Sequence, residues 1–226
     1  MDFTLNKTAK ISLGVAFAAL LGFGVHQGMQ SAKKADPYSK MPSYVRPVAD
    51  VACVPVAQLS NKYTPADLYA ATAKCASQDK MKESAGLLVA AMAYLDFDTK
   101  RVADKNAHSV ENTLKMSVVL QTPQEKRAGI DGEIKKILTS AEGRAALCAD
   151  LKKLGAPAYV PTYMTEHGKQ LAAEKGKKAA SQSAVVAAAA AGTAADSVAT
   201  AAASAKPFDA NTAWNETLTK FLGCKS

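Results

Sequence analysis

"LYAATAKCASQDKMKESAGLLVAAMAYL", residues 68–95, is the stretch on which the fold turns. Leu68, Thr72, Cys75 and Ala76 share one helical stripe. Met81, Ser84, Leu88, Ala91 and Leu95 continue at helical spacing after the polar break Ser77–Lys80. Thr64-Pro65, just ahead, is a cap and first-turn pair. Two helices joined by so short a turn must pack antiparallel. The segment therefore predicts a helical hairpin, either a surface that holds another protein or a piece of core.

Working outward, the same grammar recurs. Residues 99–120 are expected to form a helix burying Ala103, Ala107, Val110, Leu114 and Val118. Thr122-Pro123 starts another, with Ile130, Ile134, Ile137 and Leu138 along one face. Thr139 and Glu142 have capping-box spacing ahead of Leu147, Leu151 and Leu154, and Gly155 can close that helix. A helix resumes near 162 and runs to about 178 after Pro157 and Pro161. From 179 to 205, 15 of 27 residues are Ala with almost nothing large to dock, so the tract reads as a spacer. Trp214, Leu218, Phe221 and Leu222 then mark a last amphipathic helix, 211–223, that returns to the body. No alternating β-branched runs lie between turn signals. The predicted fold is all-α: a small helical bundle built on the hairpin, with an N-terminal hydrophobic helix and a C-terminal docking helix. Its parts are 1–29 signal peptide or anchor, 30–60 Pro-containing tether, 61–178 helical domain, 179–206 spacer, and 207–226 docking helix.

Residues 65–95 resemble one tetratricopeptide-type repeat. Leu68, the turn at Gln78-Asp79, Met81, Ser84, Leu88 and Ala91 fall in its register. Thr72 stands where the repeat has Gly, Cys75 and Leu88 stand where it has aromatics, and the closing Pro is missing. The resemblance implies a protein-binding hairpin, with Leu68, Met81 and Leu88 as the interaction surface.

The N-terminus carries an address. Lys7 and Lys10 precede an uncharged, mostly apolar run from Ile11 to Val25, the layout of a secretory signal. Extended to Met29, the run reaches membrane-spanning length, so residues 11–29 are expected to meet the membrane. Gln30-Ser31-Ala32 is a poor cleavage pattern, which favours an uncleaved anchor over a cleaved signal peptide. Pro37, Pro42, Pro47 and Pro55 mark the tether that follows. The expected location is periplasmic or otherwise extracytoplasmic, anchored in the inner membrane or secreted after cleavage. The net charge of +8 sits mainly at the ends: residues 50–155 hold 15 Lys/Arg against 13 Asp/Glu, while residues 1–49 hold six against two. No basic patch is interleaved with aromatics, which argues against nucleic acid.

Cys53, Cys75, Cys148 and Cys224 are even in number and lack metal-ligand spacing. In an oxidising compartment they predict two disulfides. Cys75 and Cys148 both lie on inward stripes and Cys53 and Cys224 both lie outside helices, so the expected pairs are Cys75–Cys148 and Cys53–Cys224, with Cys53–Cys75 as the rival.

Chemistry-bearing residues are sparse. His108 has Asp104 four residues before it and Glu111 three after, a spacing that could hold a metal or an ordinary solvated pair. His167 lies near Tyr163 and beside Glu166, and could face a cleft with Tyr159. Asp96 and Asp98 read as the cap region of the next helix. No nucleophile elbow, P-loop, dinucleotide turn or zinc-protease motif is present, and no cofactor is implied. Three readings follow: an exported, non-enzymatic helical protein that binds or scaffolds other proteins in a bacterial cell envelope; a structural subunit of a membrane complex, contacting it through the N-terminal helix; or an envelope enzyme or metal-binding protein using His108 or His167.

Overall fold

Thr64 and Asp67 cap one another and start the helical domain. The Asp67 amide donates to Thr64 Oγ1 at 3.3 Å, and the Thr64 amide donates to Asp67 Oδ2 at 2.8 Å. The computed structural model describes residues 36–187 and 208–225. The expected N-terminal hydrophobic helix, its membrane segment 11–29 and most of the Ala-rich tract lie outside the described residues.

Seven α-helices are present among those residues, with no strand: α1 Pro65–Ser77, α2 Met81–Arg101, α3 Val110–Gln121, α4 Gln124–Thr139, α5 Ala141–Leu154, α6 Thr162–Ala187 and α7 Ala210–Glu216. The all-α expectation holds. The hairpin of α1 and α2 is also present. It turns tightly at Asp79, whose φ of 60° is left-handed.

α2 is the axle of the domain. It packs against α1, α4 and the C-terminal segment. Its small residues let neighbours approach: a Cβ added at Gly86 would come within 3.1 Å of Val56 Cγ2. Tyr94 and Phe97 are fully buried, and Trp214 of α7 meets both edge-on, with centroids 5.7 and 5.8 Å apart. The C-terminal segment therefore docks on the body. It does so as α7 followed by a wide π-type turn, Thr217–Phe221, which buries Leu218 and leaves Phe221 on the surface.

Several helix boundaries differ from the sequence reading. α2 does not stop at residue 95 but continues through Asp96 and Asp98 to Arg101, because both carboxylates find tertiary partners there. The helix expected over 99–120 is instead two pieces: Asp104 accepts from the Asn106 amide at 2.9 Å and turns the chain, Ala103 is exposed, and α3 begins at Val110. α5 is capped by Ser140 rather than Thr139, its Oγ accepting from the Gly143 amide at 3.0 Å. At the far end Gly155 closes it at φ 78°, as expected. α6 runs beyond 178 into the Ala-rich tract as far as Ala187, in keeping with the helix propensity of Ala.

Candidate functional site

The disulfide pairing corrects the expectation. Cys53 pairs with Cys75 and Cys148 with Cys224; the expected Cys75–Cys148 and Cys53–Cys224 pairs do not form. Cys75 does face inward, but toward residues 51–56, which lie over the hairpin, rather than toward α5. Each bridge fastens an irregular segment to a helix: the N-terminal strap to α1, and the chain end to α5.

The buried chemistry of the molecule converges on Asp98. It has no exposed surface, and its Oδ1 receives Arg101 Nε at 2.7 Å with Nη2 2.6 Å away. The hydroxyls of Tyr159 and Tyr163 donate to Oδ2 at 2.8 and 2.5 Å. Arg101 Nη1 also donates to the Tyr159 carbonyl at 2.7 Å. Its guanidinium sits 5.0 and 4.9 Å from the centroids of Phe97 and Tyr159. Burial pushes the Asp98 carboxyl above its ordinary range, opposed by the Arg101 charge and the tyrosine hydrogen bonds. Burial, reinforced by Asp98, drives both tyrosines well above theirs. The assembly locks the end of α2 to the start of α6. Asp98 is thus no helix cap. The sequence signal was an i,i+3 Asp–Arg pair and two tyrosines four residues apart, with Pro161 between them hiding their common face. A parallel pair lies on Asp96, which takes Lys100 and accepts from Thr217 Oγ1 at 2.7 Å.

His167 does not share a cleft with Tyr159. It lies between Tyr44, whose hydroxyl is 3.0 Å from Nδ1, and Ser109, whose Oγ is 3.0 Å from Nε2. Ser109 donates its own proton to the Asn106 carbonyl at 2.7 Å. It must therefore accept from Nε2–H, which leaves Nδ1 to accept from Tyr44. Burial lowers the His167 pKa, partly offset by Glu174. A Ser whose proton points away from the imidazole is held rather than activated.

His108, Asp104 and Glu111 do not come together as ligands. His108 Nε2 meets the Val102 carbonyl at 2.8 Å, Asp104 serves its own turn, and Glu111 pairs with Lys115 at 2.5 Å. Among the described residues no group of three or more His, Cys, Asp or Glu is placed to hold a metal. The proposed hairpin surface also fails in part. Leu68 is fully buried, while Met81 and Leu88 are half-buried beneath α4, where Gly129 approaches Met81. At the repeat's Gly position, Thr72 donates to the Leu68 carbonyl at 2.9 Å, and Ser84 donates across the hairpin to the Thr72 carbonyl at 2.9 Å. The hairpin is core.

The outward apolar surface is elsewhere. On α3, Leu114 and Val118 face in, but Met116, Val119 and Leu120 are 53%, 40% and 75% exposed. The helix carries two apolar stripes, and only the one with Leu114 and Val118 is covered. A groove of about 690 Å³ also runs beside the Cys148–Cys224 bridge, lined by Glu142, Arg144 and Lys152. Comparison with protein-family models, with curated proteins and with solved structures finds no match to this chain.

Proposed function

We propose that this chain is a non-enzymatic helical protein of a cell envelope, exported and held at the membrane by residues 11–29, that acts by binding or scaffolding other proteins. The observation that carries this is the pair of disulfides, Cys53–Cys75 and Cys148–Cys224, which belong to an oxidising, extracytoplasmic setting. They secure the two irregular ends to the bundle. A domain so fastened presents a fixed surface. The use made of the polar residues supports the same reading: both Asp98 oxygens and both His167 nitrogens are taken by partners that hold helices together.

Mild-detergent purification of the full chain from its native host tests it, compared with a chain lacking residues 1–29. Co-purifying proteins and membrane association are expected for the full chain, with both lost on truncation. Free thiols at all four cysteines in the native compartment would overturn the proposal, as would recovery of the full chain unbound in the soluble fraction.

A further inference from the structure

The two disulfides differ in what surrounds their sulfurs. Cys148 lies midway along α5, with Arg144 one turn before it and Lys152 one turn after, an i, i+4, i+8 series on a single face. That face is a wall of the groove of about 690 Å³, and Cys148, Cys224 and Lys225 all line it. Apart from Glu142, the other α5 residues along the groove are alanines, so little bulk screens the sulfurs. Arg144 also reaches the chain beside Cys224: a Cβ built at Gly223 would lie 3.5 Å from its Nη1. Arg144 Nε donates to the Leu138 carbonyl at 3.0 Å, and Lys152 Nζ donates to the Lys225 carbonyl at 2.7 Å. Both acceptors are neutral. Arg144, Lys152 and Lys225 thus meet Glu142 alone as a countercharge among the described residues of the groove. The Cys53–Cys75 bridge has another setting. Cys75 is fully buried, and the cation next to it, Lys74, is already matched by Asp50 at 2.7 Å.

Cations without a countercharge act twice on a disulfide. They draw an anionic thiolate to the sulfurs, and they stabilise the thiolate that leaves. Arg144 and Lys152 bracket Cys148, which makes it the better leaving group. We infer that the groove is a site for an anionic thiol, one that carries carboxylates, and that this thiol exchanges with the Cys148–Cys224 bridge. The incoming thiolate attacks Cys224 Sγ. A new S–S bond joins it to Cys224, the old S–S bond breaks, and its electron pair stays on Cys148 as the thiolate. A second thiol then attacks the first and releases Cys224. Two thiols are oxidised to one disulfide, and the bridge is reduced to two thiols. The bridge fastens the segment that carries Trp214 to α5, so the exchange sets how firmly that segment is held.

The test treats the oxidised full chain with glutathione, whose two carboxylates outweigh its ammonium, and with cysteamine, a cationic thiol, at equal thiolate concentration. Acid quenching, alkylation and peptide mapping count the thiols at each bridge. Cys148–Cys224 is expected to open about fivefold or more faster with glutathione, given opposite rather than like charge near two cations at a surface. Cys53–Cys75 should show no such preference, and the trapped glutathione adduct should sit on Cys224. Salt at about 1 M should bring the ratio toward one. Arg144→Gln combined with Lys152→Gln should do the same at low salt; where that variant loses the wild-type circular dichroism spectrum, the salt series on the wild type decides. A ratio near one, an equal ratio at both bridges, or a preference that survives salt overturns the inference, as does a bridge that neither thiol opens. An adduct on Cys148 overturns the assignment of the leaving group. Each of these results leaves two structural disulfides, and with them the envelope reading, which falls only on its own test.

Discussion

Asp98 and Arg101, one turn apart on α2, form an ion pair at 2.6–2.7 Å that also gathers Tyr159 and Tyr163 from the other side of the bundle. Breaking such a pair from one side strands a buried charge. Arg101→Met is expected to cost about 3–5 kcal/mol in urea unfolding. Lys74→Met, which removes the exposed pair with Asp50, should cost under about 1 kcal/mol. Equal losses would mean that the Asp98 cluster is not specially coupled.

The same carboxyl sets a pH dependence. Its pKa is raised in the folded state, chiefly by burial. The folded protein therefore binds that proton more tightly, and the contribution is complete below the ordinary carboxyl pKa of about 4 and is lost as pH rises through the folded value. The stability of the wild type minus that of Asp98→Asn should fall as pH is raised from about 4. Urea midpoints across a pH series read this directly.

His167 has the opposite sign. Burial depresses its pKa, so the unfolded chain takes up the proton first. Its contribution is present above the ordinary histidine value, near 6.5, and is lost as pH falls below it. His167→Gln should flatten the stability profile below that pH. Nitrogen chemical shifts of the His167 ring, with Nε2 protonated and Nδ1 bare at neutral pH, check the tautomer independently.

Peptide mapping of the unreduced protein should give Cys53–Cys75 and Cys148–Cys224 peptides. The bridges span 22 and 76 residues. Loop-closure entropy makes removal of the first worth about 3 kcal/mol and of the second about 4–5 kcal/mol. The Cys148→Ala, Cys224→Ala double variant should also loosen the docked Trp214, read as a red shift of its fluorescence.

Gly168 lies where α6 crosses the turn before α3. A Cβ there would sit 2.5 Å from Asp104 Oδ2 and 3.0 Å from the Ala107 Cβ. Gly168→Ala is expected to destabilise by about 1–3 kcal/mol despite the better helix propensity of Ala. Gly132→Ala on α4, where nothing lies within 4 Å, should be neutral or stabilising.

By itself the sequence determined the helices and several of their ends. Thr64-Pro65 and Gly155 act within one turn of backbone, and the spacing of Leu147 and Leu151 shows an inward face without reference to any partner. Cysteine number likewise announced the two bridges. Tertiary structure decided everything that depends on which faces meet. α2 continues through Asp96 and Asp98 because Lys100, Thr217, Arg101 and two tyrosines offset their desolvation, and those partners lie up to 121 residues away. Cys75 pairs with Cys53 because the strap before α1 folds back over the hairpin. The hairpin became core because α3 packs on α1 and α4 on α2, while one of the two apolar stripes of α3 stayed bare. Periodicity says that a face is apolar; only the packing of distant segments says whether anything covers it.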